Sequence, residues 1–163
     1  MEILNNIYQK ISIFLSYLQS PVYEGKIIYP ETSQGAYFTY DDKGMFLEKT
    51  AFFIKSESIN LKFLTALLNS NLITFYFKSF CGGALLGNKG YQYNKHALEK
   101  LPIPKINAKN QKRADELVNL VDEILSLKER DKTADTKELE NKIDNLVYRL
   151  YGLNETEIKI INN

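Results

Sequence analysis

Cysteine and histidine occur once each in this 163-residue chain, as Cys81 and His96. A single thiol excludes an intrachain disulfide and fits a reducing compartment. One thiol and one imidazole also cannot assemble a standard zinc site. Long apolar runs are missing too: the longest uninterrupted stretches are a few residues, too short to span a bilayer. The fairly apolar start, residues 1–18, lacks the basic leading region of a signal peptide. Glu2 precedes Lys10, Lys10 breaks the apolar run, and no small-residue cleavage site follows. It reads better as an amphipathic helix ending near Gln19-Ser20-Pro21. The expectation is a cytoplasmic protein with no membrane partner. With 44% apolar and 25% charged residues the chain has the composition of a globular protein, not a disordered one. Its length suffices for one domain with a core plus an appendage.

An excess of charge of either sign is also lacking, the net being +1, but the charges are segregated. Residues 1–75 hold six basic and seven acidic side chains, whereas residues 76–113 hold eight basic ones against Glu99 alone. Residues 114–163 hold seven basic against twelve acidic. A band of this kind attracts phosphates without a basic isoelectric point, although a solvated lysine-rich loop has the same composition.

Residues 24–55 read as β-structure: Lys26-Ile27-Ile28-Tyr29 stopped by Pro30, then Ala36 to Tyr40, Met45-Phe46-Leu47, and Thr50 to Ile54. Asp41-Asp42-Lys43-Gly44 predicts a hairpin turn, because glycine tolerates a positive φ. Asp41 and Asp42 are read as turn residues and not as a metal site. A helical pattern runs from Leu61 to Phe80, interrupted at Asn69-Ser70-Asn71. A second short helix is expected at Asn94 to Lys100 with Asn94 as its cap, and Leu101-Pro102-Ile103-Pro104 must be extended. Two leucine stripes, Leu117 to Leu127 and Leu139 to Leu150, predict a helical hairpin joined by Lys128 to Thr136. Gly152 is placed to end the second helix, and Asn154-Glu155-Thr156-Glu157 to open a last one with a capping box. The fold class expected is α+β: a small, mostly antiparallel sheet with packed helices, then an antiparallel helical hairpin. The division expected is an amino-terminal helix at 1–20, a recognition unit at 21–105, and the hairpin with a terminal helix at 106–163.

Between the central helix and Leu-Pro-Ile-Pro lies a segment that mixes glycines, lysines, tyrosines and amides, Cys-Gly-Gly-Ala-Leu-Leu-Gly-Asn-Lys-Gly-Tyr-Gln-Tyr-Asn-Lys. Lysine suits phosphates, aromatics suit stacking, and Asn or Gln can bond base edges. Lys89, Tyr91, Gln92, Tyr93 and Lys95 are the leading candidates for nucleic-acid contact, with Gly87 and Asn88 in the same loop or in a simple turn. The alternation of Tyr91 and Tyr93 fits equally a short strand with one face on the core. Lys26, Gln34, Tyr37 and Lys49, on or near the hairpin, form a candidate second contact surface, although aromatic hairpin residues more often pack inside. His96 reads as a surface or capping residue, since no nucleophile or carboxylate partner is identifiable for it. Cys81 reads as inert and partly buried. Glu140-Asn141-Lys142 lies on the polar side of a helix and reads as solvated charge.

Taken in order, Lys-Ile-Ile-Tyr-Pro-Glu, Tyr-Phe-Thr-Tyr-Asp-Asp-Lys-Gly-Met-Phe, the helix with Leu-Leu-Asn-Ser-Asn-Leu, the glycine-rich basic loop, Leu-Pro-Ile-Pro and the leucine-striped pair make a recognisable series. Over roughly residues 24–161 this series resembles the TaqI-like C-terminal specificity domain. That is the target-recognition domain of type IIG restriction–modification enzymes and related adenine methyltransferases of prokaryotes. It is also similar to the recognition domains of type I specificity subunits, where Leu-Pro-Ile-Pro leads into a spacer helix. The resemblance implies sequence-specific binding of double-stranded DNA without catalysis. It also implies a methyltransferase or endonuclease domain or subunit as partner. The sequence holds no Asn-Pro-Pro-Tyr-type motif, no S-adenosylmethionine-binding glycine loop and no convincing nuclease site. S-adenosylmethionine and Mg²⁺ are thus expected only with such a partner, and the chain is read as an excised or split domain or a remnant. The alternatives are a helical protein-interaction module without specific DNA binding and a fragment of a type I specificity subunit.

Overall fold

The computed structural model describes residues 25–45, 47, 51–81, 85–86 and 90–163. The expected helix at 1–20 lies outside them. Within them the fold is α+β. Six strands, β1 (Lys26–Pro30), β2 (Thr32–Ser33), β3 (Thr39–Asp41), β4 (Ala51–Ile54), β5 (Leu85–Leu86) and β6 (Gly90–Gln92), form two sheets. Six helices accompany them: α1 (Leu61–Asn69), α2 (Asn71–Phe80), α3 (Lys95–Leu98), α4 (Gln111–Arg130), α5 (Lys137–Tyr151) and α6 (Glu155–Asn162).

β1 is the central strand of the first sheet, in the order β3-β1-β4 and antiparallel to both neighbours. Ile27 lies opposite Tyr40 on one side and Ile54 on the other. Its β-branched and aromatic residues suit a strand covered on one face, and Ile27 and Tyr29 are buried there. The expected hairpin across Asp41 to Gly44 does not form. Both β3 and β4 pair with β1 instead, and Met45 and Leu47 are not in a strand. The turn itself is present, with Gly44 at φ +71°. Asp41 organises it, accepting from the backbone N–H groups of Lys43 (3.0 Å) and Met45 (2.8 Å). The second sheet, β2-β6-β5, pairs Thr32 with Gln92 and Tyr91 with Leu85. Two small sheets thus replace the single one expected.

The interruption at Asn69-Ser70-Asn71 is a chain of caps. Asn60 opens α1 by accepting from the N–H groups of Lys62 and Phe63. Asn69 then reaches across to the strand side: its amide donates to the Phe38 carbonyl (2.7 Å), and its carbonyl accepts from the Phe38 N–H (3.0 Å). Ser70 donates to the Leu67 carbonyl (2.7 Å) and accepts from the Ile73 N–H (3.3 Å), closing one helix and opening the next. The start of α2 has a second cap from another element, since Asp144 on α5 accepts from the Asn71 N–H (2.7 Å) and side-chain amide (2.8 Å).

α4 and α5 form the expected hairpin. α4 continues to Arg130, so the connection is 131–136, shorter than Lys128 to Thr136. Lys128 remains helical and donates to the Ala134 carbonyl (2.7 Å). Gly152 ends α5 in the left-handed conformation at φ 72°, and α6 begins with a complete capping box of Asn154 and Glu157. The inner stripe of the hairpin (Leu117, Val121, Ile143, Val147) belongs to the same hydrophobic core as Phe63, Leu67 and Phe77. Polar ties reinforce this junction: Lys62 pairs with Asp122 at 2.5 Å, Lys43 pairs with Glu129, and the Tyr151 hydroxyl donates to the Pro102 carbonyl at 2.8 Å. No helix among the described residues is long and apolar enough to cross a membrane.

Candidate nucleic-acid interface

β6 and α3 hold the part of the basic segment that the structure describes. Tyr91 and Tyr93, two apart on an extended chain, both point into the core and are 6% and 3% exposed. Phe77 of α2 meets Tyr93 at 4.7 Å between ring centroids and Tyr91 at 6.1 Å. Phe38 meets Tyr93 edge-on at 4.9 Å. Of the two readings of the tyrosine alternation, the strand packed on the core is the observed one. The two phenol rings therefore anchor the segment and are not surface contacts.

Burial first, then the Tyr91 and Tyr37 phenols, pushes the Tyr93 hydroxyl far above the ordinary phenol range. That hydroxyl is buried and has no hydrogen-bond partner among the described residues. Gln92, between the two tyrosines, takes the opposite face by the alternation of the strand and is half-buried beside the exposed Thr32. Asn94 caps α3 by accepting from the Ala97 N–H at 2.9 Å, as expected. The cap aims Lys95 outward, with a side chain 88% exposed and a loose pairing to Glu99 at 3.7 Å.

Lys26 differs most from its expected place. It is 2% exposed and pairs with Asp41 at 2.5 Å inside the first sheet, where Lys26 and Asp41 are cross-strand partners. Burial pushes the Asp41 carboxyl up, but the Lys26 ammonium and the two turn N–H groups outweigh it and hold the group below its ordinary value. Lys26 is thus a structural cation and offers no surface to a ligand. Gln34 and Tyr37 are exposed, on the chain leading out of β2. The Tyr37 ring folds back over Gly35, where a side chain at position 35 would meet it at 3.4 Å. Gly87, Asn88, Lys89 and Lys49 lie outside the described residues.

One residue that the sequence did not single out joins this surface. Lys78, exposed near the end of α2, stands over the Tyr91 ring with its ammonium 5.6 Å from the ring centroid. Membership of the basic band was its only signal. Lys100 approaches the same end of α2: burial raises the Cys81 thiol, and Lys100 works against that shift. Cys81 itself is buried, with its thiol 3.7 Å from the Ala97 carbonyl, in keeping with an inert role. Lys78 beside Tyr91, Lys95 on α3 and Lys100 near Cys81 are exposed cations set around the ends of β6, α2 and α3, while half-buried Gln92 takes the other face of β6. Exposed lysines in this part of the fold can hold a polyanion. His96 and Glu140-Asn141-Lys142 are all exposed. Among the described residues no three His, Cys, Asp or Glu side chains converge to hold a metal ion.

The sequence matches the TaqI-like C-terminal specificity domain over residues 3–103, well over half of the chain. The chain belongs to that family. The match takes in both sheets, α1, α2 and α3, and so contains every residue of the surface just described. It ends at Ile103, within Leu-Pro-Ile-Pro. The specificity domain thus hands over to the helical hairpin at the place where Tyr151 bonds back to Pro102.

Proposed function

We propose that this specificity domain selects a sequence of double-stranded DNA on behalf of a restriction–modification system, and performs no chemistry itself. The observation that carries the reading is the setting of Gln92. A buried tyrosine on each side fixes its strand, and exposed Lys78, over the Tyr91 ring, and Lys95, on the helix that follows, bring positive charge to the same segment of the fold. A glutamine amide can bond adenine bidentately in the major groove, and lysines on either side serve phosphates. Gln34 and Tyr37 belong to the same surface in this reading, and the sequence offers Gly87, Asn88, Lys89 and Lys49 as further contacts to DNA. Methyl transfer or cleavage, with S-adenosylmethionine and Mg²⁺, is assigned to a methyltransferase or endonuclease domain or subunit that this domain directs, as in a type IIG arrangement inside a prokaryotic cytoplasm.

The test is selection from a randomised duplex library by the full chain, followed by salt titration of the selected duplex. An enriched motif and a steep loss of affinity with salt are expected. Gln92→Ala relaxes the motif at one position, whereas Lys78→Ala and Lys95→Ala weaken all sequences alike and each reduce the salt slope by about 1. Background sequences only, with binding indifferent to salt, would overturn the proposal.

A further inference from the structure

The helical hairpin carries a groove of about 580 Å³ between the outward sides of α4 and α5. Its two walls repeat one pattern with opposite charge. α4 contributes Glu116-x-x-Asn119-Leu120-x-x-Glu123, and α5 contributes Lys142-x-x-Asn145-Leu146-x-x-Arg149. Spacings of three, four and seven keep each set on one helix face. The leucines are half-buried at the floor, while the asparagines, Glu123, Lys142 and Arg149 are exposed.

From this pattern we infer that the groove is a self-complementary surface on which a second copy of the chain docks, forming a four-helix bundle. The charges choose between the two ways of turning one hairpin onto another. A two-fold axis perpendicular to the helices would set α4 on α4, glutamate against glutamate. An axis parallel to the helices sets α4 of one copy on α5 of the other, so Glu116 and Glu123 meet Lys142 and Arg149 twice over. Leu120 and Leu146 then close a dry seam, and the asparagines fix its register, as polar residues do in bundle cores.

Antiparallel helices run the two patterns in opposite directions, which suits this pairing. Glu123 and Lys142 line the groove from opposite walls, and Lys142 is held above its ordinary value first by its bond to Glu138 (2.9 Å) and, more weakly, by Glu123. Other faces of α4 have other duties, since Asp122 and Glu129 are already paired to Lys62 and Lys43. The inference does not depend on DNA binding and stands or falls separately from it.

Sedimentation equilibrium of the full chain over a concentration series tests it. The native chain associates to a dimer, and the double variant Glu116→Lys/Glu123→Lys weakens that association on the order of tenfold or more, as does Lys142→Glu/Arg149→Glu. Mixed in equal amounts, the two variants recover a dimer of one chain of each kind, because the walls are again opposite in charge. Recovery on mixing also shows that both variants fold. A native chain that stays monomeric at every concentration, a dimer indifferent to both reversals, or reversed chains that fail to combine would each overturn the inference.

Discussion

At the scale of single residues, the recognition segment separates side chains that hold from side chains that face out, and adjacent positions do opposite work. Tyr91 and Tyr93 are part of the aromatic packing around Phe77 and Phe38, and Gln92 between them is turned away from it. Tyr93 pays for its place with a buried hydroxyl that has no partner among the described residues. Such a group carries its desolvation cost with no bond in return, about 1–3 kcal/mol. Tyr93→Phe keeps the ring contacts and removes that cost, so the urea midpoint should rise, by about 1 kcal/mol of stability. Tyr93→Ala, in contrast, should lose about 3–5 kcal/mol through the cavity. Destabilisation by Tyr93→Phe would mean that the hydroxyl is bonded after all. Sequence alone left this residue open because a period of two is shared by a strand on the core and a strand on a ligand. Lys26 was opaque for a related reason. Its burial follows from Asp41, fifteen positions away, and only the β1–β3 register brings the two together.

Among elements, helices were legible and sheet order was not. Leucine spacing, the Asn69-Ser70-Asn71 interruption, Asn94, Gly152 and the Asn154–Glu157 box are local signals, and each occupies its expected place. The pairing of β3 and β4 with β1, and of β6 with β2, depends on contacts far apart in sequence, so a turn at Gly44 suggested a hairpin that the sheet does not use. The cap of α2 by Asp144 is equally non-local and had no sequence signal. Burial, and to a lesser degree the neighbouring Glu140, raises the Asp144 carboxyl, while the Asn71 N–H works against the shift. The folded value lies above the unfolded one, so the protonated form is the one that folding favours. Its contribution to stability is complete below the ordinary carboxylate range and is lost as pH rises through the raised value. Asp144→Asn removes this titration. The stability difference between native chain and variant should therefore shift against the native chain as pH rises from below 4 through that raised value. Urea unfolding at a series of pH values measures it, and a difference that does not vary with pH would exclude the mechanism.

For the whole molecule, the family match and the core have different boundaries. The match ends at Ile103, yet Leu117 and Val147, both 0% exposed, pack in the same core as Phe63 and Leu67 of the matched region. The matched region and the hairpin that follows it are therefore physically continuous among the described residues. Asp122, Glu129, Asp144 and Tyr151 each tie the hairpin to the unit that carries Gln92. A shared core should unfold as one. Leu117→Ala removes a fully buried side chain from α4 and should cost about 2–5 kcal/mol. If the core is continuous, hydrogen exchange will show that loss equally in the most protected amides of α4, α1 and β1, because all three exchange through the same global opening. Loss of protection confined to α4 and α5 would instead mark the hairpin as a separately unfolding appendage.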